Sequence, residues 1–439
     1  MTDHPYLSRR KGVWQYYRRV PIEYVEYDKR EAVKQSTKVK IADDPKATKA
    51  LRVVDEINRV VEAYWKGLVD GQALEAERRY AEARRRARAL GLDYLPAASI
   101  AELPSSDILE RLERLRTMGV SRDIPMVEAA LGAERPPVIM LSALFERFEV
   151  QVRTELKDMS PDQVRKWRNP KIRAMKNLIK VIDDKPIQNI TANDALDFSE
   201  WWQARVIDED MDPDTANKDM GHITRMLFVL NKRFRLGMLP VFTGMRLEGS
   251  QENTRPPYDV EYLRKRVLAP DALMGLNDEA RRVIFLMADS GVRPSEAVNL
   301  NQSTIVLDAD IPHLQIRPDG RRLKTQQSKR DIPLVGCALA AMKEQPRGFP
   351  RYHDSSSELS AAVNKFLREN GLRQETGDRT LYSLRHTFKD RLVNARAEDS
   401  MIDSLMGHKE AGSKYGEGPN LKLKLRWLHR IAFKPPSRV

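Results

Sequence analysis

Ala288-Asp-Ser-Gly-Val-Arg-Pro-Ser-Glu-Ala-Val-Asn-Leu300 is the stretch from which the rest of the chain is read. The apolar run Val283 to Met287 just before it reads as the end of a helix, and Gly291 reads as the stop. Pro294 suits the first position of a new helix, where its missing N–H costs nothing. Arg293 is therefore expected on the turn between two helices, with its guanidinium projecting. Glu296, one turn further on, is placed to hold that turn by a hydrogen bond or an ion pair.

Three later pieces belong with it. Ile316-Arg-Pro-Asp-Gly-Arg-Arg-Leu-Lys-Thr-Gln-Gln-Ser-Lys-Arg-Asp-Ile-Pro-Leu334 reads as two strand-like runs joined by a turn at Asp319-Gly320. Lys324 falls at or just after that turn, and Lys329 and Arg330 are expected to face DNA or solvent. In Leu381-Tyr-Ser-Leu-Arg-His-Thr-Phe388, Tyr382 and Arg385 are three apart and share one helix face. His386 reads as a satisfied interior histidine. In Leu405-Met-Gly-His-Lys-Glu-Ala-Gly-Ser-Lys-Tyr-Gly-Glu-Gly418, Gly407 stops a helix, His408 follows, and Tyr415 lies seven residues on. Any one piece is weak, since an isolated Arg is usually a surface residue and an isolated Tyr usually packs half-buried.

In this order the four pieces resemble the tyrosine recombinase (phage integrase) family. Its catalytic domain carries Arg, a hairpin Lys, His-x-x-Arg, Gly-His and then Tyr. The match falls on Arg293, Lys324, Tyr382 with Arg385, His408 and Tyr415, and covers roughly 280–418. Two positions depart from the family pattern. Tyr382 stands where the family usually has His, and the interval from His408 to Tyr415 is shorter than usual. After Tyr382, Tyr415 is the one tyrosine remaining in the sequence.

The resemblance implies a site-specific DNA recombinase, an integrase of a phage or genomic island. Tyr415 would attack a backbone phosphorus and leave a 3′-phosphotyrosyl bond and a free 5′ hydroxyl. The bond energy is conserved, so no nucleotide cofactor is expected, and no metal either. The acids form no motif such as His-Glu-x-x-His, which argues against a metal-dependent nuclease. Arg293 and Arg385 would grip the non-bridging oxygens. Lys324 would protonate the leaving oxygen, and His408 would donate a hydrogen bond to the phosphate. Tyr382, a poor base near neutral pH, would donate a hydrogen bond or brace the pocket. The implied partners are double-stranded DNA with specific recombination sites, further copies of the chain (four on DNA), and an accessory DNA-bending or excision factor.

Composition agrees with such partners. The 439 residues carry a formal net charge of +13, which favours a polyanion. Charged residues make up 32% and hydrophobic ones 41%, a soluble globular balance. Cys337 is the single cysteine, so an internal disulfide is excluded, and its apolar surroundings mark it as a small core residue. The first residues hold no apolar stretch of signal-peptide length, so a cytoplasmic, nucleoid-associated protein without membrane contact is expected.

The remaining chain sets the expected layout: mainly α with small β-sheets (α+β). Residues 1–91 form a basic N-terminal region with a small sheet followed by helices. Ten basic residues there stand against five acids within 1–42, and Arg9, Arg10, Lys11, Arg18 and Arg19 are the candidate DNA contacts. Helical spacing runs through 45–91 with Pro45 in the first turn, and 72–90 reads as a second helical pattern. Residues 92–137, with five prolines and one short amphipathic helix, read as a connector. Residues 138–245 read as an all-helical unit with helices at 141–157, 161–182, 191–208 and 213–236, resembling the family's core-binding domain. In its last helix Lys218, His222 and Arg225 make a candidate phosphate-contacting row. Residues 246–257 have linker composition, and 258–439 form the catalytic domain with a C-terminal tail. The tail from Leu421 to Val439 alternates basic and apolar residues and is expected to dock on a neighbouring protomer.

Three other readings fit parts of the sequence. They are a non-catalytic DNA-binding relative, a DNA-relaxing topoisomerase with related chemistry, and a scaffold for an acidic protein. A covalent protein–DNA adduct, joining of two sites, and salt-dependent DNA binding separate them.

Overall fold

The computed structural model describes all residues except 1–3, 11, 26, 27, 29, 250–254, 375–378 and 410–417. Lys11 and Tyr415, both singled out above, lie outside the described residues. Among the described residues the architecture is mostly helical with two three-stranded antiparallel sheets. The chain divides into two compact units. One comprises Met1–Gln151, Ala174–Met211 and Met220–Arg246, and the other Val152–Arg173, Asp212–Asp219 and Leu247–Val439. No helix among the described residues is long and apolar enough to cross a membrane.

The first unit opens with β1 (Leu7–Arg10), β2 (Val13–Arg19) and β3 (Ala32–Lys40), in that order across the sheet. Alternation decides the faces. Tyr16, Val20 and Val33 turn inward and pack on Val54, Ile57, Val61 and Trp65 of helix α1 (Thr48–Ala89). The helix begins three residues later than Pro45 suggests. The Asp44 carboxylate accepts from the N–H groups of Thr48, Lys49 and Ala50 and so caps the first turn. It then runs for 42 residues without the division expected near residue 72.

Residues 92–137 hold three helices where one was expected: α2 (Ala97–Ala101), α3 (Ser105–Thr117) and α4 (Ile124–Leu131). Three of the five prolines stand at the starts of these helices. Pro96 and Pro104 are N-caps, and Pro125 lies in the first turn of α4 beneath the capping side chain of Asp123. Leu90, Leu115 and Ala130 form a small core there, and the buried Arg111 donates to the carbonyls of Ala130 and Asp93.

Four helices follow: α5 (Leu144–Gln151), shorter than the expected 141–157 and flanked by 3-10 turns, and α6 (Pro161–Ile182), α7 (Ala192–Asp208) and α8 (Pro213–Phe234), close to their expected bounds. Thr191 and Asp194 form a capping box at the start of α7. Along α8 the expected stripe of Met220, Ile223, Leu227 and Leu230 is buried.

In the second unit α9 (Val260–Tyr262) continues into a π-helical turn, Leu263–Val267. Helix α10 (Asp278–Ser290) is buried along nearly its whole length and runs through the centre of the hydrophobic core. It is followed by α11 (Pro294–Ala297) and by the sheet of β4 (Ile305–Val306), β5 (His313–Ile316) and β6 (Arg330–Pro333). Strands β5 and β6 pair antiparallel from His313 with Pro333 to Ile316 with Arg330, so the loop between them spans 317–329 rather than a tight turn. Helices α12 (Gly336–Glu344), α13 (Ser356–Glu369), α14 (Ser383–Asn394), α15 (Asp399–Met406) and α16 (Leu421–Ile431) complete the unit.

The tail expected to reach a neighbouring protomer packs in this structure on its own unit. Leu428 and Phe433 lie in the core. The buried Asp289 accepts from the N–H groups of Phe433 and Cys337 and from Arg391, whose guanidinium lies 3.7 Å from the Phe433 ring centroid. Cys337 is buried, as its apolar surroundings indicate.

Candidate active site

The turn between α10 and α11 forms as its residues dictate. Gly291 takes the left-handed conformation, φ +62°, and a Cβ there would collide with the Phe388 ring. Arg293 becomes the N-cap of α11 and Pro294 its first residue. The Glu296 carboxylate reaches back to the Arg293 N–H at 2.9 Å and to its guanidinium at 2.7 Å. The expected clamp on Arg293 is therefore present.

Glu296 has a second partner that the sequence reading misplaced. Arg330, expected to face DNA or solvent, is buried and donates to both Glu296 oxygens, at 3.1 and 2.9 Å. It also donates to the carbonyls of Leu405 and Ser328, at 2.7 and 2.8 Å. The signal was available in the strand phase: Arg330 shares a face with Ile332, the buried aliphatic residue of β6, while Asp331 between them is less buried. Burial alone would raise the Glu296 pKa, but Arg330 and then Arg293 outweigh it and bring the carboxyl down to about 2.

Arg385 comes to the same place from α14. It is 2% exposed and donates to the carbonyls of Gly291 and Met406. Its Nη2 lies 3.3 Å from His408 Nε2. Desolvation, reinforced by the charge of Arg293, lowers the Arg385 pKa to about 10, so it remains a cation at neutral pH.

His408 follows Gly407, which ends α15 at φ +63°. A Cβ on Gly407 would stand 2.8 Å from Arg330 Nη1 and 3.1 Å from Ser328 Cα. Desolvation, with the charges of Arg385 and Arg293, lowers the His408 pKa to about 4. Its Nδ1 is 3.7 Å from an Asp403 oxygen. An imidazole neutral at physiological pH makes that a polar contact and not an ion pair.

Arg293, Arg385 and His408 are thus brought together from three separated segments. Tyr382, the N-cap of α14, is half-buried, with the His386 ring 5.4 Å away and the Arg255 guanidinium 5.7 Å from its own ring centroid. His386 is half-buried rather than interior, and desolvation lowers its pKa. Lys324 is exposed on the loop between β5 and β6, as is Lys329 at its far end. That loop is fastened just ahead of Lys324, where Gln163 exchanges hydrogen bonds with the main chain of Arg322 at 2.7 and 2.9 Å.

The basic residues singled out further upstream divide. Arg10 and Arg19 stand on the solvent side of the N-terminal sheet, in phase with Gln15 and Tyr17. Arg9 is exposed beside Trp14. Arg18 points the other way and donates to Asn58 and Glu62 of α1, both at 2.6 Å. On α8, Lys218 and Arg225 are exposed and His222 half-buried, with Lys218 paired to Asp214 at 2.6 Å.

A model of the phage integrase family matches residues 272–413, the segment that contains this cluster. The tyrosine recombinase XerC of Staphylococcus haemolyticus (strain JCSC1435) is 27% identical over 197 residues, 41% of this chain. The chain spans 63% of the length of that relative. Among solved structures, the Tn1549 transposon integrase in complex with a circular intermediate DNA aligns with 66% of this chain and 94% of its own, at 16% identity and a TM-score of 0.44. A lambda integrase dimer bound to a COC′ core site aligns with 66% and 85%, at 16% identity and a TM-score of 0.46.

Proposed function

We propose that this chain, whose domain at 272–413 belongs to the phage integrase (tyrosine recombinase) family, cuts and rejoins double-stranded DNA through a covalent tyrosyl intermediate. The observation that carries the reading is the convergence of Arg293 and Arg385, the second bonded to the carbonyl two residues before the first, with His408 at 3.3 Å from Arg385. One carboxylate, Glu296, stands against the guanidiniums of Arg293, Arg330 and Arg385. The cluster keeps an excess of positive charge suited to a phosphodiester.

Tyr415 attacks the phosphorus. A P–O bond to the phenol forms as the phenol proton passes to water, the P–O5′ bond breaks, and the 5′ oxygen leaves with a proton from Lys324. Arg293 and Arg385 neutralise the non-bridging oxygens as charge builds on them. The neutral His408 has one N–H to give. In the tautomer that carries the proton on Nε2, that nitrogen donates to the phosphate, and Arg385 directs its own N–H to the anion. Tyr382 braces the pocket or donates a hydrogen bond. A 5′ hydroxyl from a second strand then attacks the phosphotyrosyl bond and restores the backbone, so the energy of the first bond is kept. The further assignments are site-specific integration or excision of a mobile element, assembly of several protomers on DNA, the solvent face of the N-terminal sheet as an arm-type DNA contact, and a core-binding role for 138–245.

The test is a denaturant-resistant protein–DNA adduct on nicked duplexes tiled across the DNA that borders the coding sequence. The wild type is expected to form it and Tyr415→Phe to lose it while still binding DNA. Tyr382 in the place of the usual His gives one specific reason for a non-catalytic DNA-binding role. Binding without adduct by the wild type would establish that role instead.

A further inference from the structure

We infer that Arg330 is the positioning residue that locks the turn of Arg293, the loop of Lys324 and the turn of His408 into one preformed phosphate site. The inference rests on the proposed function and assigns to Arg330 no contact with DNA.

The geometry makes Arg330 a junction. Two of its nitrogens hold both oxygens of Glu296, and Glu296 holds both the N–H and the guanidinium of Arg293. The same guanidinium donates to the Ser328 carbonyl, four residues past Lys324, and to the Leu405 carbonyl, three residues before His408. The Ser328 hydroxyl is in turn 3.3 Å from Arg293. A planar fork is needed to satisfy acceptors in several directions at once, and lysine lacks it. The left-handed Gly407 leaves the room that Arg330 occupies. The arrangement aligns the site before DNA arrives, so no reorganisation is left for the reaction itself.

The test uses the full-length protein and the same tiled nicked duplexes. Each nick frees a short strand that is lost on cleavage, so the adduct accumulates and its rate is read in a single turnover. DNA binding is measured in parallel. Arg330→Met is expected to bind DNA like the wild type but to form adduct about 100-fold more slowly, the cost of a misplaced reacting group. Arg330→Lys is expected to fall between them, since one ammonium reaches Glu296 but not Leu405 as well. Combining Arg330→Met with Glu296→Gln is expected to slow cleavage by no more than about two-fold beyond the slower single variant, because both act on one step.

Wild-type cleavage rates in Arg330→Met would overturn the inference. So would a loss of binding in step with cleavage, which marks a folding defect, or additive losses in the double variant. A wild type that binds a duplex and forms no adduct would instead sink the proposed function, and the positioning role with it. The two failures are distinguished by which protein shows them.

Discussion

Arg385 donates a hydrogen bond to the main-chain carbonyl of Gly291, although 94 residues separate them in the chain. Gly291 lies two residues before Arg293, so this one bond ties the helix of Arg385 to the turn that carries Arg293. Left to themselves the two cations would separate. They stay because Glu296 and the carbonyls of Gly291 and Met406 hold them, and an arriving anion relieves their repulsion.

Replacing Glu296 with Gln removes the counter-charge from two buried or nearly buried guanidiniums. The expected loss is about 3–5 kcal/mol of stability, the usual result of breaking a buried pair on one side. Urea denaturation measures it. Glu296→Gln combined with Arg330→Met should recover part of the loss, because an uncompensated buried cation goes with it.

Acid should destabilise the second unit in two windows. The His408 pKa is about 4 when folded and near 6.5 when unfolded, so the unfolded chain binds more protons between them. Stability therefore falls as pH drops from 6.5 towards 4. Glu296 is at about 2 when folded against 4.5 unfolded. Its contribution is complete above 4.5 and is lost as pH falls towards 2. Thermal unfolding against pH should show both, and His408→Gln should shrink the upper window to the part that His386 contributes while sparing the lower one.

Gly407→Ala and Gly371→Ala make a matched pair. Both positions are left-handed, at φ +63° and +62°, but a Cβ on Gly371 meets nothing within 4 Å. Gly371→Ala should cost about 1–2 kcal/mol from the backbone alone. Gly407→Ala should cost a further ~1–3 kcal/mol, because Arg330 and Ser328 are in the way. Equal losses in denaturation would contradict the crowding at Gly407.

Cys337 reports on the C-terminal segment. Burial, with the nearby Asp289 carboxylate, pushes its thiol up to about 12, and its sulfur lies 3.7 Å from the Lys434 carbonyl. The native chain should react very slowly with a thiol reagent. Phe433→Ala should cost about 3–5 kcal/mol and speed labelling of this single thiol. Unchanged labelling would mean that the segment does not cover it.

The two sides of the N-terminal sheet should answer differently. Arg10→Gln and Arg19→Gln should each flatten the logarithmic salt dependence of DNA binding by about 0.9. Arg18→Gln should instead destabilise the sheet against α1, through the lost bonds to Asn58 and Glu62, with the salt slope kept.

Local rules sufficed where a feature depends on neighbours in the chain. The turn of Gly291, Arg293 and Pro294, the stop at Gly407 and the bounds of α6 all follow from caps, periodicity and proline placement. They failed where a partner is distant. Glu296 and Arg330 are 34 residues apart, and only the phase of a short strand hinted that Arg330 turns inward. The prolines of 92–137 point to a connector, because a helix-starting proline looks the same as a loop proline until its cap is known. The absence of division in α1 escaped notice for a related reason: a change in the apolar pattern along a helix marks a change of packing partner and not a break.

Several of the arginine contacts end on peptide carbonyls, at Gly291, Ser328, Leu405 and Met406. Every amino acid supplies that group. The grip on the cations therefore depends on the path of the main chain and not on which side chains decorate positions 405 and 406. Those positions can drift through the apolar alphabet while the grip persists, whereas inserting or deleting one residue just before Gly407 would dismantle it.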